Sequence, residues 1–215
     1  MNRDNNNSAT AVFAAILLLA TSIATAQQRW PDMPDITTEI RKEKSVFVPM
    51  RDGVRLSTDL YFPEGVDGKL PVIMVRTPYG KDGAYPYGGM IPLLVQQGYI
   101  VAIQDIRGRY ESEGRYRARY SDRKDGYDTL EWLIDQPWSD GQVATFGCSY
   151  LGETQITLAA EKHPNHVAMM PHAPAAAYND NGRPWTSFDG GVLELAQTAG
   201  WFLSSGSTVF HGPPA

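Results

Sequence analysis

Two textures of hydrophobic patterning divide the chain. In residues 37–48 and 54–62 the positions alternate, and Val54, Leu56, Thr58, Leu60 and Phe62 share one parity, which predicts strands with one face on a core. The join Met50-Arg51-Asp52-Gly53 puts Asp52-Gly53 where an antiparallel turn needs positive φ, so the two strands are expected to form a hairpin. From Pro71 the apolar positions instead run together, at 72–75, 99–104, 142–146 and 167–170. Between them lie stretches with helical spacing at 90–97, 122–136 and 150–161. Strands without alternation, interleaved with helices, predict a mostly parallel sheet covered on both faces with right-handed crossovers, an α/β architecture carrying an N-terminal antiparallel hairpin.

The two ends depart from this rhythm. Residues 1–10 are polar, 11–23 form a short apolar run, and Ala24-Thr25-Ala26 places small residues where a signal peptidase reads them. The run is shorter than the roughly 20 apolar residues a spanning helix needs, so residues 1–26 are expected to be a signal peptide cleaved after Ala26. The mature protein is then secreted or periplasmic and holds no membrane segment. Residues 27–172 would form the α/β domain. Residues 173–215 are rich in Pro, Gly, Asn and Trp and contain one helical stretch, at 191–203.

Composition changes this picture only by exclusion. With 215 residues and 42% hydrophobic content, the chain can bury one good core. A net charge of −5 argues against a binder driven by phosphate neutralisation. The arginines between Arg107 and Lys124 are interleaved with Glu111, Glu113, Asp122 and Asp125, which reads as a solvated mixed-charge loop. A single cysteine, Cys148, rules out an internal disulfide framework and reads as a small buried residue lining the turn rather than as a reactive thiol. No spacing of His, Cys, Asp and Glu suggests a metal site, and no motif calls for a cofactor.

The candidate chemistry lies in Gly147-Cys148-Ser149-Tyr150-Leu151-Gly152, between a predicted strand and a predicted helix. A serine hydroxyl attacks only when a base takes its proton, and a sharp strand-to-helix turn helps by lifting the oxygen out of the sheet. The helix beginning at Tyr150 would offer backbone N–H groups to a developing oxyanion. Ser149 is therefore the expected nucleophile. The run departs from Gly-x-Ser-x-Gly, because Leu151 holds the second position after the serine and glycine follows one later.

Gly-x-Ser-Tyr-x-Gly resembles the elbow of the cocaine-esterase-like (CocE/NonD) hydrolases and their X-Pro dipeptidyl-peptidase and α-amino-acid ester hydrolase relatives. Other stretches resemble that family in the same order: residues 48–56 its opening hairpin, Arg76-Thr77-Pro78-Tyr79 its first oxyanion loop, and Gln104-Asp105-Ile106-Arg107-Gly108 with Ser112-Glu113-Gly114 its Asp-x-Arg-Gly loop. Trp138-Ser139-Asp140-Gly141 leads into the elbow as it does there. The resemblance implies an α/β-hydrolase fold, with the Tyr79 hydroxyl and the Tyr150 backbone N–H as oxyanion donors. It further implies that Trp185 and Trp201 sit in a helical cap beginning at 173 and bind substrate. Asp105 precedes the nucleophile, so it is expected to pin its loop through Arg107 or backbone N–H groups rather than to serve as the triad acid.

His163, His166, His172 and His211 all read as surface or capping residues. In the family the catalytic acid and histidine follow the cap, so they are expected beyond Ala215, and this stretch alone is expected to be inactive. The implied reaction is cleavage of a small-molecule ester or amide through an acyl-enzyme. An X-Pro dipeptidyl-peptidase shares the elbow and would need acidic groups for a free amine, which Asp180, Asp189 or Glu194 could supply. A third possibility is a catalytically incomplete fragment or binding module.

Overall fold

The computed structural model describes residues 35–82, 89–117, 121–174 and 195–204. The signal-peptide expectation, residues 180–194 with Trp185, and His211 lie outside the described residues. Six strands form one sheet: β1 (Ile40–Pro49), β2 (Arg55–Pro63), β3 (Leu70–Thr77), β4 (Ile100–Asp105), β5 (Ser139–Cys148) and β6 (His166–His172), in the order β1-β2-β4-β3-β5-β6. β1 pairs with β2 and β2 with β4 antiparallel, while β3 pairs with β4 and β5, and β5 with β6, in parallel. The helices are α1 (Ile91–Gln96), α2 (Asp122–Ile134), α3 (Tyr150–Ala159) and α4 (Leu195–Ser204).

The central strand β3 shows why the apolar runs are continuous. Val72 and Met74 pack with Leu130 and Leu133 of α2 and Leu158 of α3, whereas Ile73 and Val75 pack with Ile91 and Val95 of α1. Successive side chains on a strand point to opposite faces, so a strand covered on both sides must be apolar at every position. The expected hairpin forms: Met50 N–H donates to Val54 O at 2.8 Å and Gly53 takes φ 84°.

Two expectations are corrected. β2 does not bury one parity only, because Ser57 and Asp59 are as buried as Leu56, Thr58 and Leu60. It lies between β1 and β4, and its second face meets a polar cluster rather than water. Conversely β6, expected as a strand covered on both faces, exposes Val167, Met169 and Met170, because among the described residues it is the terminal strand.

Candidate active site

β5 turns into α3 at Ser149, whose backbone sits at φ 58°, ψ −125°. A non-glycine residue held there is strained, by about 1–3 kcal/mol in general, and the strain projects the side chain out of the sheet. Ser149 is exposed, and Cys148 before it is half-buried rather than buried because it lies at the rim of the same turn. Its N–H donates to the carbonyl of His172 at 2.9 Å, while its own carbonyl accepts the N–H groups of Gly152 and Glu153, so the turn is fixed from both sides.

The flanking glycines are required by close approach. Gly147 lies at φ 151°, and a Cβ there would come within 2.4 Å of Leu151 Cβ. At Gly152 a Cβ would meet Pro174 Cβ at 3.0 Å and His172 O at 3.2 Å, so the first turn of α3 lies directly against the end of β6. This accounts for the glycine one position later than in Gly-x-Ser-x-Gly. The buried Gln155 completes the brace, donating to the carbonyls of Gly147 and Leu151 and accepting from Met170 N–H.

Tyr150 opens α3 and is buried, its hydroxyl donating to Asp122 Oδ2 at 2.6 Å. Trp201 of α4 stacks on the Tyr150 ring at 5.8 Å with the planes 2° apart. Tyr79 and Trp201 both pack on the cluster of Ile106, Tyr116 and Tyr150. The structure thus brings Tyr79, Tyr150 and Trp201 together directly beside the elbow.

Tyr79 follows β3 on a loop tied down at successive positions. Its N–H donates to Thr77 Oγ1, Arg109 Nε donates to Pro78 O at 2.9 Å, and Lys81 N–H donates to Asp105 Oδ1 at 2.8 Å. Asp105 therefore pins its loop through backbone N–H groups, as one of the two expected routes had it. Arg107 does not take part, because it forks onto Asp125 and Asp52 instead. Burial pushes the Asp105 carboxyl up to about 7 against the opposing pull of the Lys81 N–H.

The histidines are engaged elsewhere. His163 is buried, contrary to a surface role, with Nε2 2.8 Å from Glu131 and Nδ1 accepting Asn165 N–H. His166 Nε2 lies 2.8 Å from Thr145 Oγ1, and burial, aided by His163, lowers its pKa. His172 is exposed and contributes its carbonyl to the elbow. Among the described residues no imidazole is hydrogen-bonded to the Ser149 hydroxyl.

The arginine-rich stretch is only partly the solvated loop expected: Arg55 pairs with Glu113 and Arg123 with Glu161 nearer the surface, but Arg107 reaches the buried Asp125 as well as Asp52, and Arg109 and Asp122 are buried because they hold Pro78 O and the Tyr150 hydroxyl. Part of it lines a cleft of about 430 Å³ at the start of α2. The residues that sequence reasoning missed are the buried polar ones: Arg76, which reaches Gln104 Oε1 and Asp122 O, and Lys81 with Asp59. Their one signal is a charge inside an otherwise apolar strand or beside a turn.

A strained serine between a parallel strand and a helix, on a doubly covered sheet with an antiparallel hairpin, defines an α/β-hydrolase-fold protein. Residues 52–214 match the X-Pro dipeptidyl-peptidase (S15 family), and the chain belongs to that family. It is 42% identical over 161 residues to the cocaine esterase of Rhodococcus sp. (strain MB1 Bresler), covering 73% of this chain and 27% of the relative. Among solved structures, it resembles a CocE/NonD family hydrolase from Staphylococcus aureus with TM-score 0.60 and 31% identity, over 79% of this chain and 34% of the other. It also resembles an α-amino acid ester hydrolase with TM-score 0.57 and 28% identity, over 70% of this chain and 28% of that one. The chain thus spans about a quarter to a third of the length of these relatives.

Proposed function

We propose that the intact protein is an exported serine hydrolase that cleaves a small ester or amide through an acyl-enzyme. Ser149 Oγ adds to the substrate carbonyl carbon as its proton passes to a histidine, and the carbonyl π electrons move onto oxygen. Collapse restores the carbonyl, breaks the bond to the leaving group and delivers the proton to it. Water then repeats the cycle on the acyl group and frees the serine. The Tyr79 hydroxyl and the Tyr150 backbone N–H hold the oxyanion, while Trp201, with Trp185, walls the acyl group. The histidine and its acid are supplied by residues beyond Ala215, and residues 1–26 direct export.

The observation that carries this reading is the exposed Ser149 at positive φ beside the packed trio Tyr79, Tyr150 and Trp201. The family match and the esterases among the relatives support it. In the intact protein, Ser149→Ala is expected to lower kcat on p-nitrophenyl acetate by about three orders of magnitude or more. Unchanged turnover would overturn the assignment.

The S15 match favours one second reading, release of X-Pro dipeptides. Comparing kcat/KM on an aryl acetate and on an X-Pro anilide separates the two, since only the peptidase favours the anilide.

A further inference from the structure

The side chain of Lys81 is buried although the next residue, Asp82, is exposed. The Lys81 ammonium sits 3.2 Å from Asp59 Oδ1 and 2.8 Å from Glu111 Oε2, with Ser45 Oγ at 3.5 Å. Asp59 is itself fully buried and also takes the N–H of Ser45 at 2.9 Å, with Lys42 Nζ 3.0 Å from its second oxygen. Glu111 further accepts the hydroxyls of Ser45 and Ser57. β1 is bulged between Glu43 and Val46, and Ser45 takes φ 54° within that bulge. Burial works against the charged form of Lys81, but the bonds to Glu111 and Asp59 outweigh it and keep the ammonium charged.

A buried ion pair is a poor device for stability, because packed apolar groups of similar volume do as well or better. What this cluster supplies is position. Lys81 is two residues from Tyr79 and is attached at two points: its N–H to Asp105 at the end of β4, and its ammonium to β2 and the loop bearing Glu111. On the other side of Tyr79, Arg109 holds Pro78 O. Between them Gly80 lies so close to the Tyr110 ring that a Cβ would meet it at 3.0 Å. A donor that must meet an oxyanion needs its geometry fixed to within about 0.5 Å.

We propose that Lys81 is a positioning residue for the oxyanion site: clamped between Asp59 and Glu111, it fixes the loop that presents the Tyr79 hydroxyl beside Ser149. This rests on the oxyanion role of Tyr79 proposed above.

The test is a double-mutant cycle in the intact protein, with p-nitrophenyl acetate as substrate and folding checked by thermal melting. Lys81→Met is expected to lower kcat by about tenfold or more with KM within about threefold of wild type, as misplacement of a transition-state donor does. In a Tyr79→Phe background the same change should cost less than about twofold, because the hydroxyl it positions is gone. Multiplicative losses, or wild-type kcat in Lys81→Met, would overturn the inference while leaving the role of Tyr79 intact. Wild-type kcat in Tyr79→Phe alone would overturn that role and the inference with it. Should Lys81→Met not fold, Glu111→Gln, which leaves the ammonium its Asp59 partner, carries the same cycle with the same criteria.

Discussion

At Ser149 the backbone is held where glycine would rest more easily. Replacing it by glycine should relieve that strain and stabilise the intact protein by about 1 kcal/mol while abolishing hydrolysis. A rise in Tm together with lost turnover checks this; a fall in Tm would show that the turn is unstrained. Gly147 works in the opposite sense. Gly147→Ala places a methyl 2.4 Å from Leu151 Cβ and should destabilise by about 3 kcal/mol or more, read as a lower denaturant midpoint. Asp105 gives the clearest pH signature. In the fold its carboxyl keeps its proton up to about 7, while in the unfolded chain it loses it near 4. Between those values the folded state binds more protons, so stability falls as pH rises, by on the order of 4 kcal/mol across the window. Asp105→Asn should flatten that fall in urea titrations from pH 4 to 7. Glu111 acts with the other sign. Its bond to Lys81 holds it down to about 2, so its contribution is present above about 4.5 and disappears as pH drops toward 2.

Among the elements, the elbow depends on how α3 is tethered. The hydroxyl of Tyr150 ties the first residue of α3 to the first residue of α2, and Gln155 ties the next turn to β5 and β6. Tyr150→Phe keeps the ring on Trp201 but removes the donor to a buried carboxylate. It should cost about 1–3 kcal/mol, measured by thermal melting. The order and type of these elements were legible in the sequence because pattern and covering agree: continuous runs became β3, β4 and β5, and Asp52-Gly53 became the hairpin turn. β5 begins three residues earlier than its apolar run because Ser139 pairs with Leu70 of β3 without being apolar. The double burial of β2 was not legible, since Ser57 and Asp59 read as solvent-facing until Glu111 and Lys81, far along the chain, are seen to cover them.

For the whole molecule, the hydrophobic pattern predicted Ser149 at the end of a parallel strand, and β5 does end there, with Tyr79 at the end of the neighbouring strand β3 and Trp201 arriving from α4. The polar network behind Tyr79 lay beyond sequence reading because its members come from four separate segments: Lys81, Asp105 and Glu111 meet where the parallel strands β3 and β4 end, and Asp59 joins them through the antiparallel addition of β2. That hairpin is therefore part of the site's support as well as of the sheet. We propose that in the intact protein this architecture presents Ser149 as an activated nucleophile. Reacting that protein with a fluorophosphonate and locating the adduct by peptide mass spectrometry tests this. A single adduct on Ser149, absent when a substrate ester is in excess, is the predicted result; an adduct on another serine, with Ser149 unmodified, would contradict the account.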